Sequence, residues 1–326
     1  MGSYFLGVDA GATKTHALVL AEEGSLCGFG EGGSGNHESF GFDRAREEIA
    51  KAVTEALSVA GLDPSRLTRS CYCLAGADVS SDFEEIPNRI IAPITGNAPF
   101  ELKNDSFGCL RGGTKDPFGV MINCGTAQVA VGRNRQGAEI RLGGYGPEFG
   151  DLTGGWIISL KAIAAIVRAW DGRGEATALS DLILKAAGSA SIPDFIDRTY
   201  RDQEFLMELG ITRLVFEASL AGDSVAKEIV LEAAHEMAVT ATALIRRLEM
   251  QRETFDLIAA GSVFKGEDPI FMETVKSAVL NKAPNARFTT PLYDPVVGAG
   301  LLALESSGLR TTEEFYQRLE ATLPRS

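Results

Sequence analysis

Carboxylate, amide and hydroxyl side chains follow several short apolar runs of this chain, and phosphate chemistry uses such groups. The first set lies in residues 9–15, between apolar runs at 4–8 and 17–21. A carboxylate at a strand end, followed by a tight loop with N–H and hydroxyl donors, suits a phosphate and its Mg²⁺ ion. Asp9 would hold the ion directly or through water. The alternative is an ordinary hairpin turn, and the GxxxxGK[ST] spacing of a Walker loop is absent.

A second turn repeats this arrangement about 115 residues later, where Gly125-Thr126-Ala127-Gln128 separates apolar runs at 119–123 and 128–134. A lone turn of this kind is weak evidence for a site. Two matching hairpins, however, would suit the phosphate chain of one nucleotide. The pair therefore favours nucleotide binding more than either turn does alone.

Asn104 and Asp105 end another short apolar run at 99–103. Phosphoryl transfer to a hydroxyl needs a carboxylate within hydrogen-bond reach to accept the proton. We therefore predict Asp105 as the general base. The alternative is an Asn-Asp turn that caps the following segment.

Two glycine-rich loops are candidates for binding a polar ligand. Residues 143–151 combine glycines with Tyr145 and Asp151, and residues 33–37 include Asn36. Glycine permits close backbone approach to a ligand, and the carboxylate and amide can bond to hydroxyl groups. Structural loops, with Asp151 near a helix N-terminus, are the alternative.

The elements around these loops indicate a duplicated α/β fold, in which each half begins with a strand–turn–strand unit. Helical periodicity predicts helices at 42–60, 156–170 and 295–304, and a long helical segment from Ser224. The strand–turn–strand order differs from the uniform βαβ alternation of a dinucleotide-binding fold. We expect two domains with a cleft between them and a hinge near 112–119.

Composition restricts the function classes. The 326 residues carry a net charge of −13, which disfavours nucleic acid or an anionic membrane as the main partner. We expect no signal peptide and no membrane span, and the five cysteines without a CxxC pair indicate reduced thiols. The predicted location is cytoplasmic.

The chain resembles the N-acetylglucosamine kinase and BadF/BadG/BcrA/BcrD ATPase family of the actin- and hexokinase-like superfamily. The stretches that carry the resemblance, in the family's order, are GVDAGATKTHALVL, GSGNHESFG, LKNDSFG, INCGTAQVAVGRN, GGYGPEFGD, LIAAGSVF and DPVVGAGLLAL. Where the family has GTGS and DEGS, this chain has GTAQ (125–128) and DLTG (151–154).

The resemblance implies two ribonuclease-H-like, actin-like ATPase domains with ATP and Mg²⁺ in the interdomain cleft. The implied domains are 1–117 with a terminal helix at about 309–326, and 118–308 with a helical insertion. It implies Asp105 as catalytic base and Asp9 as the magnesium residue. The implied nucleotide residues are Asp9, Gly11, Ala12, Thr13, Lys14, Thr15, Gly125, Thr126, Ala127, Gly261 and Ser262. The implied sugar residues are Asn36, Asn104, Asp105, Thr126, Tyr145, Gly146 and Asp151.

The predicted function is an ATP-dependent kinase for a small amino sugar, N-acetylglucosamine or glucosamine, that acts as a possible homodimer. One alternative is an iron–sulfur ATPase that activates a dehydratase or reductase, which would need paired cysteines at a dimer interface. Another alternative is a sensor that binds sugar or nucleotide with weak turnover.

Overall fold

The computed structural model describes residues 2–202 and 205–324. The predicted domain ranges also include residues 1, 203, 204, 325 and 326, which lie outside the described residues. The chain divides into two compact units. Unit 1 comprises the residues up to Met121 and those from Thr289 onward, and unit 2 comprises Ile122–Phe288.

The strands of the described residues form two sheets. They are β1 (Tyr4–Ala10), β2 (Thr15–Ala21), β3 (Leu26–Gly32), β4 (Leu67–Leu74), β5 (Phe100–Asn104), β6 (Gly119–Cys124), β7 (Gln128–Arg133), β8 (Glu139–Gly143), β9 (Phe255–Ala260) and β10 (Ala286–Thr289).

The helices follow the strands in both units. They are α1 (His37–Phe40), α2 (Phe42–Ala60), α3 (Ser80–Ile86), α4 (Ala92–Thr95), α5 (Asp105–Gly112), α6 (Gly155–Trp170), α7 (Leu179–Ala187), α8 (Ile192–Arg201), α9 (Phe205–Glu208), α10 (Ile211–Leu220), α11 (Ser224–Arg247), α12 (Ile270–Lys282), α13 (Pro295–Ser306) and α14 (Glu313–Thr322). A π-helical turn, Pro87–Ile91, joins α3 to α4.

The sheet of unit 1 has the order β3-β2-β1-β4-β5. Strands β1, β2 and β3 pair antiparallel, whereas β4 is parallel to both β1 and β5. The carboxyl ends of β1, β4 and β5 consequently lie at one edge of the sheet, because parallel strands end on the same side. This edge carries Asp9 and Asn104.

Helices cover both faces of this sheet. Ile49, Val53 and Leu57 of α2 belong to one buried cluster, as the predicted periodicity of residues 42–60 requires. Leu301 and Leu304 of α13 belong to a second buried cluster, with side chains of β1, β2 and β4. The early strands of unit 1 are therefore packed against a helix from the end of the chain.

A buried arginine, Arg111 of α5, joins α13 and α14 to the earlier part of unit 1. Arg111 donates hydrogen bonds to Glu305 of α13, at 2.8 Å, and to the Tyr316 hydroxyl of α14, at 2.7 Å. Its third bond goes to the carbonyl oxygen of Thr114, at 2.7 Å. A charge this deeply buried is tolerated because its donors are paired.

Unit 2 contains a second five-stranded sheet and seven of the fourteen helices named above, α6 to α12. Its strand order is β10-β9-β6-β7-β8, and β7 pairs antiparallel with β8. The buried faces of α6, α10 and α11 pack together beside this sheet. Of the helices in residues 2–202 and 205–324, none is both long and apolar enough for a bilayer crossing.

Candidate functional site

The predicted first phosphate turn is a tight β-hairpin between β1 and β2. The backbone N–H of Gly11 donates to the carbonyl oxygen of Lys14, at 2.9 Å, and Ala10 pairs with Thr15. Ala12, Thr13 and Lys14 are exposed at the tip. This arrangement leaves their N–H and hydroxyl groups available to an anion.

The loop that carries Asn36 is bonded to this first turn. The N–H of Gly35 donates to the carbonyl oxygen of Gly11 at 3.1 Å, and the buried Thr15 hydroxyl donates to that of Gly33 at 2.8 Å. Two segments that the sequence predicted separately are thus adjacent in unit 1.

Asp9 lies at the end of β1 in a negatively charged environment. Burial raises the pKa of its carboxyl to about 7, the charges of Asp105 and Asp294 add to this rise, and Lys14 opposes it. The charge of Asp105 acts on Asp9, and the register of β1 with β4 and of β4 with β5 brings the two residues to the same edge of the sheet. Asp294, at the N-cap of α13, was not predicted from the sequence.

Asn104 and Asp105 form the junction between β5 and α5. Asn104 is buried and caps the helix, since its Oδ1 accepts from the N–H of Ser106 at 3.1 Å. Asp105 is the first residue of α5. The capping alternative for Asn104 therefore holds in the structure, and its role in a sugar site stays a prediction.

The predicted second phosphate turn joins β6 to β7. The N–H of Gly125 donates to the carbonyl oxygen of Ala127 at 3.0 Å. The carbonyl oxygens of Gly125 and Thr126 accept from the N–H groups of Gly155 and Trp156, at 2.7 and 3.1 Å. The start of α6 thus holds this turn in place, while Thr126 and Ala127 stay exposed.

Asp151 fixes the shape of the predicted glycine-rich sugar loop. Its buried carboxylate accepts hydrogen bonds from the backbone N–H groups of Tyr145 and Gly146, both at 2.7 Å. The ring of Tyr145 is exposed and lies under the guanidinium of Arg141, 4.6 Å from its centre. The loop therefore presents an aromatic face and backbone groups in a defined conformation.

Two neighbouring cavities of unit 2 connect the second turn with Ser262, which the resemblance implies as a nucleotide residue together with Gly261. One cavity, of about 130 Å³, is lined by Gly125 and Thr126, and the other, of about 370 Å³, by Phe216 and Val263. Both are also lined by Gly210, Thr212 and Ser262. The larger volume lies within the usual range of about 300–1,000 Å³ for small-molecule sites.

These cavities lie beside residues that the sequence predicts for nucleotide binding, namely Gly125, Thr126 and Ser262. The smaller one borders the second turn. The larger one combines the apolar side chains of Phe216 and Val263 with the charged residues Arg213, Lys265 and Glu267, and such a mixture of apolar and polar groups is typical of small-molecule sites. The wall formed by Gly210 and Thr212 was not predicted. The Thr212 hydroxyl donates to the carbonyl oxygen of Gly155 at 2.8 Å, which attaches this wall to the start of α6.

A model of the BadF/BadG/BcrA/BcrD ATPase family matches residues 6–303. The chain belongs to this family. The resemblance predicted from the sequence motifs is thereby confirmed.

Two curated relatives of this family member match almost its whole length. An N-acetylmuramic acid/N-acetylglucosamine kinase of Clostridium acetobutylicum is 30% identical over 301 residues, which is 92% of this chain and 98% of the relative. An N-acetyl-D-glucosamine kinase of Dictyostelium discoideum is 26% identical over 313 residues, with 93% and 98% covered.

A solved structure supports the fold. A candidate N-acetylglucosamine kinase of Chromobacterium violaceum superposes with a TM-score of 0.67 at 21% identity, over 92% of this chain and 98% of the other. Together with the two five-stranded sheets, this likeness confirms the predicted α/β class of the BadF/BadG/BcrA/BcrD ATPase family member.

The structure gives the iron–sulfur alternative little support in this family member. Cys71, Cys73 and Cys124 are buried, and burial raises the pKa of the Cys124 thiol to about 12. Cluster ligands are thiolates, which these surroundings disfavour. Both curated relatives described above are kinases, so the kinase function is favoured over the iron–sulfur alternative.

Proposed function

We propose that this chain is an ATP-dependent kinase that transfers a phosphoryl group to N-acetylglucosamine or glucosamine. The observation that carries the proposal is that the first phosphate turn, Asp9 and the Asn104-Asp105 junction lie at one edge of the unit 1 sheet, where β1, β4 and β5 end. A phosphate turn next to a carboxylate that starts a helix supplies both halves of phosphoryl transfer, an anion site and a base. The curated relatives, both kinases of amino sugars, support the acceptor class.

ATP is assigned to residues of both units. In unit 1 we propose the turn at residues 9–15, and in unit 2 the turn at Gly125, Thr126 and Ala127 together with Gly261 and Ser262. The paired cavities of unit 2 support this assignment, because they connect these last two segments.

Mg²⁺ is proposed at Asp9. Among the described residues, no group of three or more His, Cys, Asp and Glu side chains could hold a metal ion. In kinases Mg²⁺ usually keeps several waters and is held by one or two carboxylates together with substrate phosphates, so the single carboxylate of Asp9 is sufficient for the proposal. When bound, the ion would neutralise charge on the phosphates.

The sugar is assigned to Asn36, Asn104 and Asp105 of unit 1 and to Thr126, Tyr145, Gly146 and Asp151 of unit 2. Carboxylates and amides pair with sugar hydroxyls, and the exposed Tyr145 ring offers an apolar face. The fixed loop of Asp151 supports this assignment, since a site of this kind works best when its groups are held in advance.

Asp105 is proposed as the general base. It would accept the proton of a sugar hydroxyl while that oxygen attacks the γ-phosphorus and the bond to the ADP oxygen breaks. Backbone N–H groups of the two turns would stabilise the charge on the transferred group. The chain would then release a sugar phosphate and ADP.

Three further predictions remain part of this proposal: a cytoplasmic location, a homodimer, and the domain division at 1–117 with 309–326 and 118–308. The two compact units support a two-domain organisation with a discontinuous first domain, although residues 289–308, which this division gives to the second domain, belong to unit 1.

A coupled assay of ADP release tests the proposal. The protein is incubated with Mg-ATP and N-acetylglucosamine, glucosamine, N-acetylmuramic acid or glucose. Turnover that requires one amino sugar is the expected result. A melting temperature raised by sugar, with no ADP release from any of them, would contradict the kinase and favour the sensor.

A further inference from the structure

Residues 76–82, which follow β4 and enter α3, connect two of the proposed sugar residues that are distant in sequence. We call this segment the bridge. On one side it packs against the loop that carries Asn36. Gly76, with a φ of +83°, lies so close that an added Cβ would be 3.0 Å from Asn36 Oδ1 and from the His37 ring. A side chain is therefore excluded at Gly76 both by its conformation and by the contact.

The bridge is fastened to the Asn36 loop by a buried contact between His37 and Asp82. The Nε2 atom of His37 lies 3.4 Å from Oδ1 of Asp82, and both side chains are largely inaccessible to solvent. The other oxygen of Asp82 accepts from the N–H groups of Asp78 and Val79, at 3.0 and 2.8 Å. Asp82 thus fixes the backbone of the bridge and its distance from Asn36 in one set of bonds.

On its other side the bridge contacts the proposed catalytic junction. Oδ1 of Asp78 accepts a hydrogen bond of 2.7 Å from the side-chain amide of Asn104. The Oδ1 atom of Asn104 accepts from the N–H and the hydroxyl of Ser106, in the first turn of α5. Because a carboxylate only accepts, Asp78 determines which end of the Asn104 amide faces α5.

The consequence concerns Asp105, which lies between Asn104 and Ser106 in sequence. Its backbone position depends on the cap that Asn104 makes, and that cap depends on Asp78. A continuous series of contacts therefore links Asn36 to Asp105, through His37, Asp82, Asp78 and Asn104.

We propose that the bridge is a positioning element for the sugar site, in which Asp78 acts through Asn104 to place Asp105, and Asp82 acts through His37 to place Asn36. This inference rests on the proposed kinase function and adds Asp78 and Asp82 to it as positioning residues. Neither residue was predicted from the sequence.

The experiment compares Asp78→Ala and Asp78→Asn in the full chain, with Asp63→Ala as the matched control. Asp63 is a carboxylate of the same unit that accepts from the N–H of Ser65 at 2.9 Å in an exposed turn. We expect Asp78→Ala to lower kcat about tenfold or more. The KM for ATP should stay within about twofold, since the substitution disturbs only the proposed sugar site. Asp78→Asn keeps an oxygen acceptor and should retain most of kcat.

A double-mutant cycle separates positioning from general destabilisation. If Asp78 acts through Asn104, Asp78→Ala should cost at most about twofold in a chain that already carries Asn104→Ala. Multiplicative losses in kcat would overturn the inference. In the same series Asp82→Ala should mainly raise the KM for the sugar, and a pure loss of kcat would overturn its assignment to Asn36.

Hydrogen exchange tests the inference independently of the kinase proposal, because it needs no enzymatic activity. In Asp78→Ala, the Ser106 N–H should exchange about tenfold faster than in the unaltered chain, because its acceptor is no longer held in place. Unchanged exchange at Ser106 would overturn the bridge. Absence of turnover in the unaltered chain, with faster exchange in the variant, would overturn only the kinase.

Discussion

The side-chain amide of Gln128 donates a hydrogen bond of 3.2 Å to Oδ1 of Asp151. The bond fixes the orientation of the amide, because the carboxylate needs a donor. The Oε1 atom of Gln128 is then buried without a partner among the described residues. Gln128 stands where the family usually has serine. Its longer side chain supports the proposed sugar loop through Asp151, at the cost of a buried oxygen without a hydrogen-bond partner among the described residues.

Replacing Gln128 with leucine should leave the free energy of unfolding nearly unchanged. The lost bond to a charged group is worth about 1.5–3 kcal/mol, whereas removal of an unpaired buried oxygen regains about 1–3 kcal/mol. The proposed sugar site should suffer more, with a KM for the sugar raised about tenfold because Asp151 loses a donor. Urea unfolding and steady-state kinetics measure both quantities. Gln136→Leu, in an exposed loop, is the control, and an unaltered KM in Gln128→Leu would count against the role of this pair.

Asp9→Asn should stabilise the protein at alkaline pH. The raised pKa means that the folded chain binds the Asp9 proton more tightly than the unfolded chain does. The stability contributed by this proton is complete below about pH 4 and is lost as the pH rises to about 7. The loss is at most about 4 kcal/mol at 1.4 kcal/mol per pKa unit.

The measurement is urea unfolding of Asp9→Asn between pH 4 and pH 8, beside the exposed control Asp43→Asn. The asparagine variant should gain stability over the unaltered chain progressively above pH 4. A difference that does not depend on pH would contradict the assigned environment. Turnover should be lost, because the proposed ion contact is removed.

Asp105→Asn should lower kcat by about 10²-fold or more, in line with the usual size of a general-base contribution. Sugar binding, followed by calorimetry, should stay largely intact, since asparagine retains the shape and one acceptor oxygen. A variant with near-normal kcat would remove Asp105 from the role.

Ser262→Phe should obstruct the proposed nucleotide cavities, because Ser262 lines both of them. We expect the KM for ATP to rise more than about tenfold and the binding of sugar in the absence of nucleotide to stay near normal. Ser58→Phe, on the exposed side of α2, is the matched control. Equal losses in ATP and sugar binding would indicate misfolding of unit 2 and argue against a local nucleotide site.

The sequence predicted helices better than strands. The apolar periodicity of residues 42–60 gave α2 with the observed bounds, Phe42–Ala60. Strand β3 was missed because Gly28, Gly30 and Gly32 weaken any strand signal. These glycines face α2, where an added Cβ would lie 2.0–2.2 Å from backbone oxygens of the helix. The glycines that hid the strand are therefore required by its packing.

The candidate site was predictable where its residues are close in sequence. The two hairpin turns and the Asn104-Asp105 junction each carry a local signal, and the structure contains both hairpins and the junction. Gly210 and Thr212 line the proposed nucleotide cavities about 85 residues after Thr126, and no local pattern connects them with that turn. The partnership of Asp78 with Asn104 was hidden for the same reason, since only the pairing of β4 with β5 brings them together.

The discontinuity of unit 1 has a consequence for synthesis on the ribosome. Unit 2 is one uninterrupted stretch, so all of it has been made before α13 emerges. Phe5, Leu18 and Cys71 pack with α13. More than half of the chain is translated after Cys71 before α13 is available to cover these side chains. The apolar sheet face formed by the first strands therefore stays exposed on the nascent chain for most of translation. This face is the part of the molecule that a cellular chaperone would protect.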